Sequence, residues 1–133
     1  MNVEDLDVFK LSHELAIRIY KTTGRFPDAE KFGLTSQMRR ASASIPANLA
    51  EGGHRFSKNE YKHFISIARG SVGEIKYQLL LSRDLGYIKK SSYSELRESY
   101  DRVSMMLTKL HSSLKRTDTG NGHAERSFPR PHE

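Results

Sequence analysis

Four stretches of this chain carry apolar residues every three to four positions, and no stretch alternates with the period of two that a strand requires. Such a pattern confines the chain to helices packed against one another along apolar stripes. In the first stretch, Asp5 to about Gly24, Val8, Leu11, Leu15 and Ile19 line one stripe. Phe9, Ala16 and Tyr20 line a second, so this helix has a broad apolar face. Arg25-Phe26-Pro27-Asp28 breaks it, and Gly33-Leu34-Thr35 offers an N-cap residue for a second helix reaching about Gly53.

The second stripe is Met38, Ala41, Ile45 and Leu49, interrupted by Pro46. Proline lacks a backbone donor and crowds the carbonyl four residues back, here that of Ser42, so a kink is expected there and not an end. Gly52-Gly53 supplies the stop. Ser57-Lys58-Asn59-Glu60 is a capping box for the third and longest helix, which ends near Leu85-Gly86. A second box, Ser92-Tyr93-Ser94-Glu95, is expected to open the fourth. Its stripe is Leu96, Tyr100, Val103, Leu107, Leu110 and Leu114. Helices of about 20 residues are each about 30 Å long. Short connections make sequential neighbours antiparallel, so the expected fold is an all-α, up-down-up-down four-helix bundle over residues 1–116.

A length of 133 residues suits a single domain. Residues 117–133 are rich in Gly, Pro, Asn and Thr and nearly devoid of apolar side chains, so they are expected to form a disordered tail. The chain has no cysteine, which removes disulfides and thiolate chemistry and fits a reducing cytoplasm. The N-terminus is acidic where a signal peptide would be basic, and no apolar run approaches the roughly 20 residues that span a bilayer. A soluble cytoplasmic protein without a membrane role is the expectation.

The run from Arg39 to Gly52, with Phe26-Pro27 and Gly33-Leu34 before it, and Arg55, Ala68-Arg69-Gly70-Ser71 and Leu85-Gly86-Tyr87 after it, resembles a known signature. It is that of the bacterial four-helix-bundle family encoded in intervening sequences of 23S ribosomal RNA genes. The resemblance covers roughly residues 5–115. It implies a small bundle that assembles into a ring-like homo-oligomer, a pentamer above all, with no assigned enzymatic activity. The related accessory proteins of diversity-generating retroelements look like basic pentameric barrels that bind nucleic acid and a reverse transcriptase.

Two features of the third helix bear on function. Tyr61, Phe64, Ile65, Ala68, Val72, Ile75 and Leu79 already complete a core stripe, yet Ile67, Gly70, Tyr77 and Leu81 cluster on the opposite side around Glu74. Either neighbouring helices wrap round to cover that set or it is a subunit interface, with glycine allowing close backbone approach. The second feature is Lys62, Arg69, Lys76 and Arg83, at a strict spacing of seven that drifts only about 20 degrees per step. None has an acid three or four residues away. The fourth helix repeats the device with Arg102, Lys109 and Arg116, where only Glu98 lies in range, and Arg55 and Lys58 add the same sign near the turn between the second and third helices. The net charge of +6 is concentrated accordingly: five basic against six acidic residues over 1–34, six against two over 35–69, and nine against five over 70–116. A run of charge is ordinarily a solvated face. Read as a phosphate-binding surface, it implies nucleic-acid binding without strong sequence specificity and with marked salt sensitivity. Arg39 and Arg40, consecutive on a helix, point about 100 degrees apart, so at most one of them easily joins any single surface.

Helical bundles can hold paired metals between Glu and Glu-x-x-His motifs, and two such spacings occur, Glu51 to His54 and Glu60 to His63. The first straddles a helix stop and the second is engaged by the capping box, so neither suits a site in the middle of a bundle. Glu51 and Glu74 read as partly buried polar groups bonded to Asn48, Ser71 or arginines. His13, His111, His123 and His132 have no ligand-like neighbours in sequence. Phosphate-cradling glycine loops and nucleophile elbows are lacking, and Gly70-Ser71-Val72-Gly73 reads as close packing inside a helix. The expectation is a non-enzymatic protein without metal, cofactor or small-molecule substrate. It would bind RNA in preference to DNA through its basic flanks, the alternative being a protein-protein scaffold with no nucleic-acid role.

Overall fold

The structure, a computed structural model, describes residues 2–120, with side chains through residue 114. Four α-helices follow one another: α1 (Asp7–Thr23), α2 (Leu34–Gly53), α3 (Lys58–Asp84) and α4 (Lys90–Gly120), with short 3-10 turns at Val3–Asp5 and Asp28–Glu30. No strand occurs among the described residues. α2 packs on α1 and α3, and α4 on α3 and α1, so the helices stand at the corners of a square. Side-chain pairs fix the directions. Arg40 meets Glu74 and Ser44 meets Ser71, so α3 descends as α2 climbs. Likewise Lys76 meets Asp101 and Arg83 meets Tyr93, so α4 runs against α3. The up-down-up-down bundle read from periodicity is the fold observed.

Its core is the set of stripes named above. Leu15, Ile19, Met38, Ala41, Ile45, Leu49, Ile65, Ala68, Val72, Ile75, Leu79, Leu96, Tyr100, Val103 and Leu107 are buried. Leu110 and Leu114 are half-buried and pack against this core. α2 continues through Pro46, whose ring is buried.

The start of α2 falls where the sequence placed it, and two later boundaries depart from the sequence reading. Gly33 takes the N-cap position of α2, Thr35 is buried at the second position of the helix, and the Leu34 N–H donates to Glu30 Oε1 at 3.2 Å. A carboxylate from the preceding 3-10 turn thus takes up the helix start, where negative charge is favoured. The Ser57–Glu60 box forms as read. The Ser92–Glu95 box does not, since α4 begins at Lys90 and Glu95 reaches across to Arg18 of α1 at 2.8 Å. Finally, α4 extends to Gly120, four residues into the stretch read as tail, and 121–133 lie outside the described residues.

α3 ends through Gly86, which has φ of +79°, the left-handed conformation that glycine adopts without strain. This turn lets the Tyr87 N–H reach back to the Ser82 carbonyl at 2.8 Å. The Tyr87 hydroxyl then donates to Glu30 Oε2 at 2.9 Å, tying the α3–α4 turn to the start of α2. That bond to a carboxylate raises the phenol above its ordinary range.

Candidate nucleic-acid interface

The cations of α3 do not form a uniform flank. Lys76 Nζ lies 2.7 Å from Asp101 Oδ1 of α4, and Arg83 Nε bonds Asp84 at 2.9 Å while its guanidinium stacks over the Tyr93 ring at 4.6 Å. Acids three or four residues away on one helix were the wrong place to look. Asp101 comes from the neighbouring helix and Asp84 is adjacent in sequence. The Lys76 ammonium, bonded to Asp101, holds that carboxyl below the usual range, with Arg97 adding to the effect. Lys62 and Lys58 are half-buried and engaged. Arg55 pairs with Glu51 at 2.8 Å and stacks on Phe64. Arg69 remains exposed and makes no ion pair among the described residues.

On α4, Arg102 and Lys109 are also exposed without an ion pair, and the side chain of Arg116 lies outside the described residues. Arg69 sits seven residues before Lys76, and Thr108 seven after Asp101. Antiparallel packing therefore sets Arg69 level with Thr108 and Lys109 on the adjacent helix. Arg69, Arg102 and Lys109 thus stay exposed on neighbouring helices, whereas Lys76, Arg83 and Arg55 are drawn into local pairs.

Of the four residues assigned to a subunit interface, three are open to solvent. Tyr77 is 62% exposed and Ile67 39%, and a methyl group added at Gly70 would meet nothing within 4 Å. Leu81 differs: it is half-buried against the core. Gly73 also faces open space, so the close packing expected around Gly70 and Gly73 is not made within the subunit. Glu74, at the centre of this face, accepts from Arg40 and from Gln78 at 3.4 Å. The arginine partners expected for Glu51 and Glu74 are those found, while Asn48 and Ser71 instead bond Ser44.

Sequence reasoning missed the outer face of α1 and α2. His13, Ala16, Ile17, Tyr20, Ala43 and Pro46 line an apolar groove of about 470 Å³ between the two helices. Its signal was the second stripe of the first helix, Phe9, Ala16 and Tyr20, read as a wide core face. The structure buries Ala16, half-buries Phe9 and leaves Tyr20 47% exposed. The two consecutive arginines diverge as their spacing required. Arg39 turns to α1, with Nε on Thr23 Oγ1 at 2.9 Å, Nη2 on the Tyr20 carbonyl at 3.1 Å and its guanidinium over the Tyr20 ring at 4.8 Å. Arg40 turns to Glu74 of α3. At the other end of the bundle, Glu60 is held in the capping box with Ser57, and no group of three metal-ligating side chains occurs among the described residues.

The fold and its surface define a small antiparallel helical bundle whose distinctive groups, unpaired cations and exposed aromatic rings, all lie on the outside. The model of the 23S rRNA-intervening sequence protein family matches residues 4–109, and the chain belongs to that family. Among solved structures, the chain is similar to a protein of unknown function from the S23 ribosomal protein family of Bacteroides thetaiotaomicron. The TM-score is 0.74 and the identity 23%, over 84% of this chain and 99% of that one. At this identity the likeness concerns the fold. No curated protein matches. No helix among the described residues is long and apolar enough to cross a membrane.

Proposed function

We propose that this chain is a cytoplasmic, non-catalytic protein that self-associates and binds nucleic acid, RNA in preference to DNA, by contacting phosphates without reading sequence. The observation that carries the reading is the group Arg69, Arg102 and Lys109, exposed on adjacent helices with no carboxylate paired to them among the described residues. Residues 2–114 hold eighteen basic and thirteen acidic side chains, a net of +5 before Lys115 and Arg116 extend the series. Unpaired cations on one side of a bundle create the potential that attracts a polyanion.

Self-association rests on Gly70, Gly73, Ile67 and Tyr77. Glycine inside a long helix costs about 1 kcal/mol relative to alanine, and nothing within the subunit uses the space these two leave. A second copy packed there would. By the resemblance set out above the assembly is a ring, five subunits being favoured, and repeating the cation group around it raises avidity without new contacts.

The test is charge reversal. Arg69→Glu, Arg102→Glu and Lys109→Glu, alone and together, should weaken binding of single-stranded RNA additively while leaving helical content unchanged. A triple variant that binds as tightly as the parent removes this surface from the function. A second reading, a scaffold for protein partners, is favoured by the apolar groove of α1 and α2. It predicts no RNA binding even at low salt.

A further inference from the structure

Beside that groove, at the turn joining α1 to α2, lies a cleft of different character. It encloses about 440 Å³ and is lined by Tyr20, Lys31, Phe32, Ser36, Arg39 and Arg40. The volume is within the range of pockets that take a single nucleotide-sized ligand.

Phe32 is 90% exposed in a short turn, and Tyr20 is 47% exposed on the opposite wall. Each ring has a cation beside it: Lys31 Nζ is 5.6 Å from the Phe32 centroid, and the Arg39 guanidinium is 4.8 Å from that of Tyr20. Arg39 is half-buried and held in place, yet each of its hydrogen bonds goes to a neutral oxygen, on Thr23 and Tyr20. Its charge therefore has no carboxylate partner among the described residues, and neither has that of Lys31. Arg40 is satisfied by Glu74 and contributes shape more than charge. Glu30, the nearest acid in sequence, is turned away to the Leu34 N–H and the Tyr87 hydroxyl. Asp28 lines an adjoining cleft of about 130 Å³ that shares Lys31 and Arg39.

Two exposed aromatic rings next to two uncompensated cations, one of them immobilised, match the two halves of a nucleotide. Unstacked bases lie on aromatic rings and guanidinium planes, and phosphates lie on the cations between them. A pure anion site would have no use for an exposed phenylalanine, and a purely apolar docking site would not keep a fixed, unpaired arginine in its wall.

We propose that this cleft holds one nucleotide of a single-stranded nucleic acid, its base stacked on Phe32 and its phosphate on Lys31 and Arg39. The proposal deepens the function reading above and rests on it, but places the base contact at the α1–α2 turn and away from the α3–α4 cations. The site selects unpaired strands, because a base inside a duplex cannot reach the ring.

The chain contains no tryptophan, so Phe32→Trp installs a single indole at the centre of the site. Titration with an oligoadenylate of about 15 nucleotides should quench it saturably, since stacked bases quench indole. RNA and DNA versions run in parallel separate the two sources. Binding to the parent, followed by anisotropy, should weaken about tenfold in Phe32→Ala and in Lys31→Glu. Both residues are exposed, so circular dichroism should not change.

An unquenched indole, with RNA still bound by anisotropy and lost only in the Arg69, Arg102 and Lys109 variants, overturns this site and leaves the general function standing. No RNA binding by the parent at low salt overturns both. Pyrophosphate competing as well as adenosine monophosphate overturns the base contact. A change of particle mass in Phe32→Ala, with RNA affinity within twofold of the parent, assigns the ring to a subunit contact and overturns the proposal as well.

Discussion

Gly70→Ala separates what this subunit needs from what an assembly needs. Gly70 lies inside the 27-residue helix α3, and a Cβ built on it meets no atom within 4 Å. Within one subunit the substitution therefore has no steric cost. It removes the excess backbone freedom of glycine in the unfolded chain, a gain of about 0.5–1 kcal/mol. For a domain of this size, that raises the melting temperature by about 2–5 °C. If the face carrying Gly70, Ile67 and Tyr77 packs against a second copy, the added methyl groups meet a partner backbone, and overpacking costs about 1–3 kcal/mol. The two effects are opposite in sign and differ in concentration dependence. Urea denaturation at protein concentrations below association should show a more stable subunit, and light scattering across a dilution series should show weaker assembly. Gly73→Ala, which also adds a methyl group to open space, should likewise stabilise the subunit and weaken the assembly. A Gly70→Ala protein that is more stable and associates as before refutes the interface. One that is less stable as a single subunit refutes the open space on which the reasoning rests.

Other consequences are independent of binding. At Gly52 a methyl group would lie 2.9 Å from both Phe64 Cβ and Tyr61 Cδ1, so Gly52→Ala should lose about 1–3 kcal/mol in urea denaturation despite the gain in helix propensity. The Tyr100 hydroxyl is buried without a hydrogen-bond partner among the described residues, and burial raises its ionisation above the ordinary phenol range. Tyr100→Phe should be neutral or stabilising by up to about 1 kcal/mol, and a loss larger than that would reveal a partner. Asp101 has a lowered pKa in the folded state, because Lys76 bonds it. Its contribution is therefore present above the unfolded carboxylate range and is lost as pH falls through the folded value. The pair is half-exposed, so Asp101→Asn should flatten the acid limb of the melting curve by less than about 1 kcal/mol.

The bundle was legible because its signal is repetitive. Every turn of α3 and α4 returns an apolar residue to the same side, so local errors cannot shift the stripe. Capping boxes were less dependable, since each rests on one local match. Ser57–Glu60 forms, but at Ser92–Glu95 the glutamate finds Arg18 on another helix and α4 starts a turn earlier, with the Tyr93 N–H already bonded to the Lys89 carbonyl. The basic flank failed in the same way. Neighbours three and four residues apart report only one helix, so the Asp101 partner of Lys76 was invisible, while Arg69, Arg102 and Lys109 stay exposed without an ion pair among the described residues. Phe32 and Lys31 stand in a turn, where no period marks a residue as exposed, and only the folded chain sets them beside Tyr20 and Arg39.

The measurement closest to the central claim is the affinity of the unmodified protein for single-stranded RNA as ionic strength rises. Phosphate contact by several cations requires the logarithm of the binding constant to fall linearly with the logarithm of salt concentration, by about 0.7 per phosphate contacted on a single strand. A slope corresponding to three or more contacts, similar for unrelated sequences, is the predicted result. Absence of binding at low salt, or an affinity indifferent to salt, would contradict it.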